Sequence, residues 1–228
     1  MKPNKMLAMA AAAMVGSAAA LAQSETNFSF SVNQVIPDAS PLGLTVATNL
    51  TVTGGSIGSV TVGLDISGGF NGDLYAYLAG PNGGYAVLLN RVGVSNNASA
   101  FGYSDSGFNV TFSDSAGTNI QYYQNFSYTL SGGQLTGVWQ PEGVNIDPQS
   151  GPSLFLTTSP STPLSSFDGS NPNGTWTLFL ADLSSGGQST VVSWGVDITT
   201  VPEPATVAVL GMGMAGTLVW IRRRRPSR

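Results

Sequence analysis

Histidine and cysteine are absent from this 228-residue chain, and basic residues are few. Lysine occurs at Lys2 and Lys5, both near the N-terminus. These absences exclude Ser-His-Asp and Cys-His catalysis, Ser-Lys dyads and Schiff bases in the remainder of the chain, together with His-ligated zinc and disulfide bonds. Paired carboxylates remain available, but the sequence ties neither Glu25 nor Glu142 to a partner. We therefore expect no enzymatic activity.

Positive charge is also scarce in the middle of the chain. Between Gln23 and Thr200, Arg91 is the single basic residue against eleven carboxylates, which gives this segment a net charge of −10. Such a surface repels phosphate backbones and anionic lipid, so we expect no nucleic-acid partner. Neutral polymers and divalent cations remain compatible with it.

The N-terminus has the three parts of a secretory signal peptide. Lys2 and Lys5 precede an alanine-rich run, and Ala20-Leu21-Ala22 follows as a small-residue cleavage site. We predict a signal peptide over residues 1–22, cut by signal peptidase between Ala22 and Gln23. The segment from Gln23 onward is then expected to function outside the cytoplasm.

Residues 23–200 read as short strands separated by glycine-rich turns. Apolar residues alternate with period two, which is typical of half-buried strands. The predicted inner positions are Val60, Val62, Leu64 and Ile66, then Leu74, Ala76 and Leu78, then Trp176, Leu178 and Leu180, and finally Val192, Trp194, Val196 and Ile198; Thr61, Gly63 and Asp65 fall on the opposite face. Further strands are expected in GFNVTFSD and FSYTLSG, and a long loop over 137–153. We predict one all-β domain, an antiparallel jelly-roll-like sandwich.

Two blocks resemble the P domain, the β-sandwich module that follows the protease domain of proprotein convertases. The shared order of parts comprises Asp73-Leu74, Gly80-Pro81-Asn82-Gly83, Gly174-x-Trp176-x-Leu178, Asp182 and Trp194, within residues 34–200. Ser67 stands where convertases commonly have histidine, and a protease domain is not present. The resemblance implies a sandwich with a binding or assisting role and does not imply proteolysis.

The sequence leaves the ligand of this domain open. We expect Trp176 and Trp194 to pack in the core rather than to form a sugar platform, with a partner for the indole N–H of Trp194 if it is buried. Tyr75 and Tyr77 share an outward face of one strand, which is compatible with sugar binding or with ordinary cross-strand pairing. Calcium is compatible with the aspartates and asparagine that border the turns, although turn capping is the simpler role: Asp65, Asn71, Asp73, Asp168 and Asp182.

The C-terminus carries a short apolar run between a proline motif and an arginine cluster. Pro202-Glu203-Pro204 precedes residues 205–221, and Arg222, Arg223, Arg224 and Arg225 follow. Seventeen residues form a helix of about 26 Å, slightly short of a hydrocarbon core of ~30 Å. We predict a marginal transmembrane helix over 205–221 with the arginines on the cytoplasmic side.

This arrangement resembles the PEP-CTERM sorting signal. The resemblance implies a Gram-negative bacterium, an inner-membrane intermediate, and an exosortase that cuts near Pro202–Pro204 and releases the protein to the cell surface or extracellular matrix. A retained membrane anchor is the alternative. We expect a non-catalytic interaction or structural role; the alternatives are a calcium-dependent or carbohydrate-binding module of an exopolysaccharide or biofilm matrix, and an accessory domain of a separate protease.

Overall fold

Strands dominate residues 23–94 and 100–202, the part of the chain that the computed structural model describes. They form a six-stranded sheet in the order β1-β10-β3-β6-β8-β7 and a four-stranded sheet in the order β2-β9-β4-β5. The strands are β1 Ser24–Val35, β2 Ser40–Leu50, β3 Ser56–Gly68, β4 Leu74–Ala79, β5 Tyr85–Asn90, β6 Gly107–Phe112, β7 Thr129–Ser131, β8 Gln134–Trp139, β9 Gly174–Asp182 and β10 Ser189–Val201. Among the described residues, a short helix, α1, spans Pro152–Thr157, and 3-10 turns span Asn71–Asp73, Ile120–Asn125 and Leu164–Phe167.

The core lies between the two sheets and is built by the period-two alternation. One continuous cluster joins inner residues of both sheets, including the predicted Val62, Leu64, Leu78 and Leu178. Each of these side chains is at most 2% exposed. The prediction of an all-β sandwich is confirmed, because one face of every long strand supplies the apolar side of its sheet.

The sandwich is not antiparallel throughout. Strand β8 runs parallel to β6, with Phe108 opposite Leu135 and Phe112 opposite Trp139. Parallel neighbours need a long crossover, and residues 113–133 supply one that contains a 3-10 turn and β7. The predicted strand in FSYTLSG shortens to β7, while the predicted loop over 137–153 begins inside β8 and ends inside α1.

The prediction for Val192 is wrong because strand β10 contains a bulge. Its register with β3 shifts between Val191 and Ser193. Val191 is fully buried and Val192 is partly exposed. One extra residue in a strand exchanges the inner and outer faces for the residues beyond it. The alternation that holds from Trp194 to Ile198 therefore does not extend to Val192.

Trp176 and Trp194 lie in the core, which confirms the prediction that they pack there and excludes them as a sugar platform. The indole N–H of Trp176 donates to the carbonyl of Pro172 at 2.9 Å. Trp194 is 1% exposed, and its indole nitrogen has no hydrogen-bond partner among the described residues. The expected partner for Trp194 is therefore missing.

The described chain begins and ends in paired strands. Ser24 of β1 lies opposite Thr200 of β10, and β10 ends at Val201, next to Pro202. The predicted signal peptide with Ala20 and Ala22 lies outside the described residues, as do Glu203, Pro204, the predicted helix over 205–221 and the arginine cluster. Across residues 23–94 and 100–202, no helix is both long and apolar enough to span a membrane.

Candidate functional site

A polar trough of ≈ 290 Å³ crosses the outer face of the six-stranded sheet. It lies over β1, β10, β3 and β6, whose outward side chains are small or polar because the inward positions hold the apolar residues. The residues that line it are Asn27, Phe28, Ser29, Gly63, Leu64, Asp65, Asn109, Val110, Thr111, Ser193, Trp194, Gly195 and Asp197. Phe28, Leu64, Val110 and Trp194 belong to the core-facing set, so the outward side chains among these residues are polar or absent.

Strand register arranges the outward residues in rows across the sheet. The central row places Ser29, Gly195, Gly63 and Thr111 side by side on successive strands. Because two neighbouring members of this row lack side chains, the row forms the floor of the trough. The rows on either side carry larger polar groups and form its walls.

One wall carries Asp197 and the other carries Asp65. Asp197 accepts hydrogen bonds from the side-chain amide of Asn27 and from the hydroxyl of Thr61, the latter at 3.3 Å. Asp65 accepts a 2.7 Å hydrogen bond from the side-chain amide of Gln134 on β8. Both carboxylates are thus oriented by neutral donors and keep lone pairs for a ligand.

The fold requires glycine at one of the two floor positions, Gly195, and does not require it at the other, Gly63. A Cβ at Gly195 would lie 2.6 Å from the carbonyl oxygen of Phe28, so the approach of β1 requires glycine there. A Cβ at Gly63 would meet its nearest atom at 4.0 Å, and the φ angle of Gly63 is not positive. Neither space nor backbone conformation requires glycine at position 63. Glycine inside a strand often marks a place where a ligand approaches the backbone closely.

The chemistry of the trough suits a neutral ligand with many hydroxyl groups. Carboxylate, amide and hydroxyl side chains accept and donate hydrogen bonds in the way that sugar hydroxyls require. Thr61 and Asp65 are four residues apart on β3, and Asp197 lies opposite Thr61, so the Cα atoms of Asp65 and Asp197 are separated by about 13 Å along the strands. A polyanion would meet these carboxylates without a compensating cation in the trough.

The outer face of the four-stranded sheet is different, because aromatic residues cover it. Tyr75, Tyr77, Tyr85 and Phe179 form this aromatic face together with Val87, Ala181 and Leu183. Tyr77 stacks on Phe179 with ring centroids 5.0 Å apart, and the hydroxyls of Tyr75 and Tyr85 are 2.9 Å apart. The prediction that Tyr75 and Tyr77 share a face away from the main core is confirmed. Tyr75 is only 9% exposed, however, so the pair is not an open sugar platform.

The candidate calcium ligands do not converge. Asp65 lies in the trough. Asp168 lies elsewhere, near Asp114, and its pKa is raised by burial and by the charge of Asp114. Asn71 is used within the fold, where its side-chain oxygen accepts from the amide of Gly107 at 2.7 Å. Within residues 23–94 and 100–202, no group of three or more acidic side chains is placed to hold a metal ion.

Asp73 and Asp182 are the two predicted ligands that lie near each other, at one end of the four-stranded sheet. Strand register places Asp182 opposite Leu74, the residue after Asp73. Burial raises the pKa of Asp182 to about 6, with smaller contributions from the charges of Asp73 and Asp38. The Ser189 hydroxyl donates to Asp182 at 3.2 Å, so neutral donors hold this carboxylate as well.

The sequence predicts three of the four strands of the trough, β3, β6 and β10, but assigns outward residues on β3 alone. Thr61, Gly63 and Asp65 were assigned to an outward face from the alternation of β3. Asn27 and Ser29 on β1, and Asn109 and Thr111 on β6, alternate with apolar residues in the same way. What the sequence does not contain is the strand order that brings these four strands together.

Residues 200–225 match the PEP-CTERM protein-sorting motif, which confirms the resemblance of the C-terminal segment. The motif indicates an exported protein that an exosortase sorts to the cell surface. No curated protein matches the sequence of this chain.

Two solved structures are similar to the sandwich. One is a complex of the serine protease of Aeromonas sobria with the chaperone ORF2, at a TM-score of 0.44 and 15% identity over 80% of this chain. The other is the serine protease of Aeromonas sobria, at a TM-score of 0.41 and 14% identity over 78% of this chain. The chain spans 28% and 27% of the length of these two solved chains.

Proposed function

We propose that this chain is a non-catalytic surface protein whose sandwich binds a neutral exopolysaccharide of the extracellular matrix in the polar trough. The observation that carries the proposal is Gly63, which keeps the trough floor open although the fold does not require glycine there. The sorting motif indicates the cell surface, where such polymers are found.

Charge supports a neutral polymer over an anionic one. The body from Gln23 to Thr200 has a net charge of −10, and Asp65 and Asp197 stand on the two walls of the trough. Acidic polysaccharides and nucleic acids would be repelled, whereas uncharged sugar hydroxyls can donate to both carboxylates.

The same spacing supports binding without hydrolysis. Glycoside hydrolases place their two carboxyl groups about 5 to 9.5 Å apart around the scissile bond. Asp65 and Asp197 are separated by about 13 Å along the strands, given the rise of a β-strand. Residues whose backbones are this far apart favour contacts with successive sugar units over joint action on one bond.

The jelly-roll and P-domain likeness stays part of this proposal, supported by the order of Asp73-Leu74, Gly174-x-Trp176 and Asp182 along the chain. In this description the module serves as a binding unit. Gram-negative origin and cleavage near Pro202–Pro204 follow from the sorting-signal resemblance. Mass spectrometry of the mature protein tests the cleavage, because a C-terminus that still carries Arg222 to Arg225 would contradict it.

Binding to neutral glycans, on an array and to polysaccharide from the native matrix, tests the trough. We expect Gly63→Val to reduce affinity about tenfold or more, because it places a side chain on the trough floor, where an added Cβ has its nearest neighbour at 4.0 Å. Gly117→Val is the matched control, since an added Cβ there meets nothing within 4 Å and Gly117 lies outside the trough. Absence of glycan binding, or equal binding by the Gly63→Val variant, would refute the proposal.

A further inference from the structure

A second polar depression, of ≈ 320 Å³, lies beside the first half of strand β3. Residues 59–61 of β3 form one side of this depression, residues 113–115 form another, and Ser165 and Asp168 form the third. The depression exists because β6 is shorter than β3. The pairing of the two strands stops at Val62 and Phe112, so among the described residues no strand lies next to residues 59–61 on that side.

The far side of the depression is closed by the last of the three 3-10 turns and by the residues that follow it. The carboxylate of Asp114 accepts hydrogen bonds from the amides of Leu164 and Ser165, at 3.0 and 2.7 Å. The amide of Gly169 donates to the carbonyl of Ile57 at 2.7 Å. These contacts attach the turn to the chain after β6 and to the start of β3, so the depression is built into the fold.

The trough and the depression follow one face of β3. Alternate residues of a strand share a face, and Asp65, Gly63, Thr61 and Ser59 are the outward ones here, between buried apolar neighbours. Asp65 and Gly63 line the trough, whereas Thr61 and Ser59 line the depression. Six residues of strand separate Ser59 from Asp65, which corresponds to about 20 Å.

Two observations place the depression directly after the trough. The hydroxyl of Thr61, which lines the depression, donates at 3.3 Å to the carboxylate of Asp197, which lines the trough. On the neighbouring chain segment Thr111 lines the trough, and Ser113, two residues further on, lines the depression. Small polar side chains therefore lead from one space into the other.

We infer that the trough and the depression are one extended binding groove, and that its ligand is a linear polysaccharide held along an internal stretch of several sugar units. This inference rests on the proposed glycan-binding function and adds to it the form of the ligand. The groove is straight because it follows a single strand. A mono- or disaccharide is too short to contact both Asp65 and Ser59, whereas an unbranched chain that lies along β3 reaches both.

The depression has the same chemistry as the trough. Asp114 and Asp168 supply carboxylates, and Ser59 and Ser113 supply hydroxyls. These groups accept and donate hydrogen bonds to sugar hydroxyls, as the trough residues do. Basic side chains are absent from the described residues that line either space, so the same uncharged polymer suits both.

Fragments of the polysaccharide from the native matrix, separated by length after partial hydrolysis, test the inference on the full chain in mild detergent. Calorimetry measures the affinity for each length. We expect the wild-type affinity to rise about tenfold or more between disaccharides and fragments of about six units, and then to stay constant, because longer fragments add no contacts within the groove.

Ser59→Trp is the variant that separates the two spaces, since Ser59 is exposed and lines the depression but not the trough. It should weaken the binding of the longer fragments about tenfold or more and leave disaccharide binding unchanged, which also shows that the variant is folded. Asp168→Ala, which removes an exposed carboxylate from the depression, should weaken only the longer fragments, by about threefold or more. Ser131→Trp is the matched control, because Ser131 is an exposed strand serine outside both spaces, and it should bind all fragments like the wild type.

The outcomes distinguish this inference from the proposed function. Equal wild-type affinity for disaccharides and longer fragments would overturn the extended groove and leave glycan binding by the trough in place. Unchanged binding of the longer fragments by Ser59→Trp, or an equal loss for both lengths, would overturn it as well. Absence of binding to fragments of every length would instead refute the proposed function, and the extended groove with it.

Discussion

The outer faces of the two sheets arise from the same alternation and have opposite character. On the six-stranded sheet the outward positions are glycine, serine, threonine, asparagine and aspartate, and they leave an open trough. On the four-stranded sheet the outward positions are aromatic or aliphatic, and Tyr75 is almost fully buried. One face is available to a ligand in solution, whereas the other serves the stability of the domain.

The largest expected effect comes from removing an aromatic residue of the covered face. Tyr75→Ala deletes a ring that lies 6.0 and 6.2 Å from the rings of Tyr77 and Phe179, and should lower the free energy of unfolding by about 3 kcal/mol. Tyr75→Phe should lower it by about 1 kcal/mol, since only the hydroxyl contact with Tyr85 is lost. Thr111→Ala on the trough should change it by less than about 0.5 kcal/mol. Urea unfolding measures all three, and equal effects of Tyr75→Ala and Thr111→Ala would remove the distinction between the faces.

The next effect is a loss of stability with rising pH, which originates on the four-stranded sheet. Burial raises the pKa of Asp182 from 3.8 to about 6, and the pKa of Glu142 is also raised well above its usual value. Because both folded-state values exceed the unfolded ones, the stabilisation is complete below about pH 4 and is lost as the pH rises through 6 and above. For Asp182 the loss is at most about 3 kcal/mol.

Thermal unfolding in EDTA between pH 4 and pH 8 checks this effect. Asp182→Asn should flatten the decline around pH 6, and Glu142→Gln should flatten the part that follows the titration of Glu142. A wild-type Tm that rises over the same range would show that neither carboxyl is destabilised by burial in its charged form.

The smallest expected effects separate the two glycines on the trough floor. Gly195→Ala should destabilise the protein by about 1–3 kcal/mol, because its Cβ would lie 2.6 Å from the carbonyl oxygen of Phe28. Gly63→Ala should be neutral or stabilising by up to about 1 kcal/mol, since alanine loses less entropy than glycine in a strand. Chemical denaturation compares the two variants. A destabilised Gly63→Ala variant would mean that glycine at position 63 serves the fold rather than the trough.

The sequence was sufficient for the core of the sandwich, because apolar alternation depends only on the local chain. Val62, Leu78 and Trp176 were placed correctly for this reason. Val192 was misplaced, since a bulge depends on the pairing partner and has no marker in the strand itself. The parallel pairing of β8 with β6 was missed because strand order is set by long-range contacts.

The candidate sites were harder to predict than the core. Asp65 was placed outward, but the trough needs Asn27 and Asp197, which are 170 residues apart in sequence. The sequence predicts a loop around Glu142 and no partner for its carboxyl group, because the burial of Glu142 follows only from the pairing of residues 142–143 with β5. Tyr75 was placed on the correct face, yet the local pattern cannot show that other side chains cover it.

The pairing of Ser24 with Thr200 bears on how the body carries mechanical load. Strand β10 is hydrogen-bonded on both sides, to β1 and to β3, and it leads directly to Pro202. A pull along the C-terminal segment against a polymer held by the outward residues of β1 and β3 would run along the axis of β10. The hydrogen-bond ladders on both sides of the strand would then share the force in shear instead of opening one bond at a time. A tethered or matrix-bound protein with this arrangement resists mechanical unfolding better than one whose strands are pulled apart from one end.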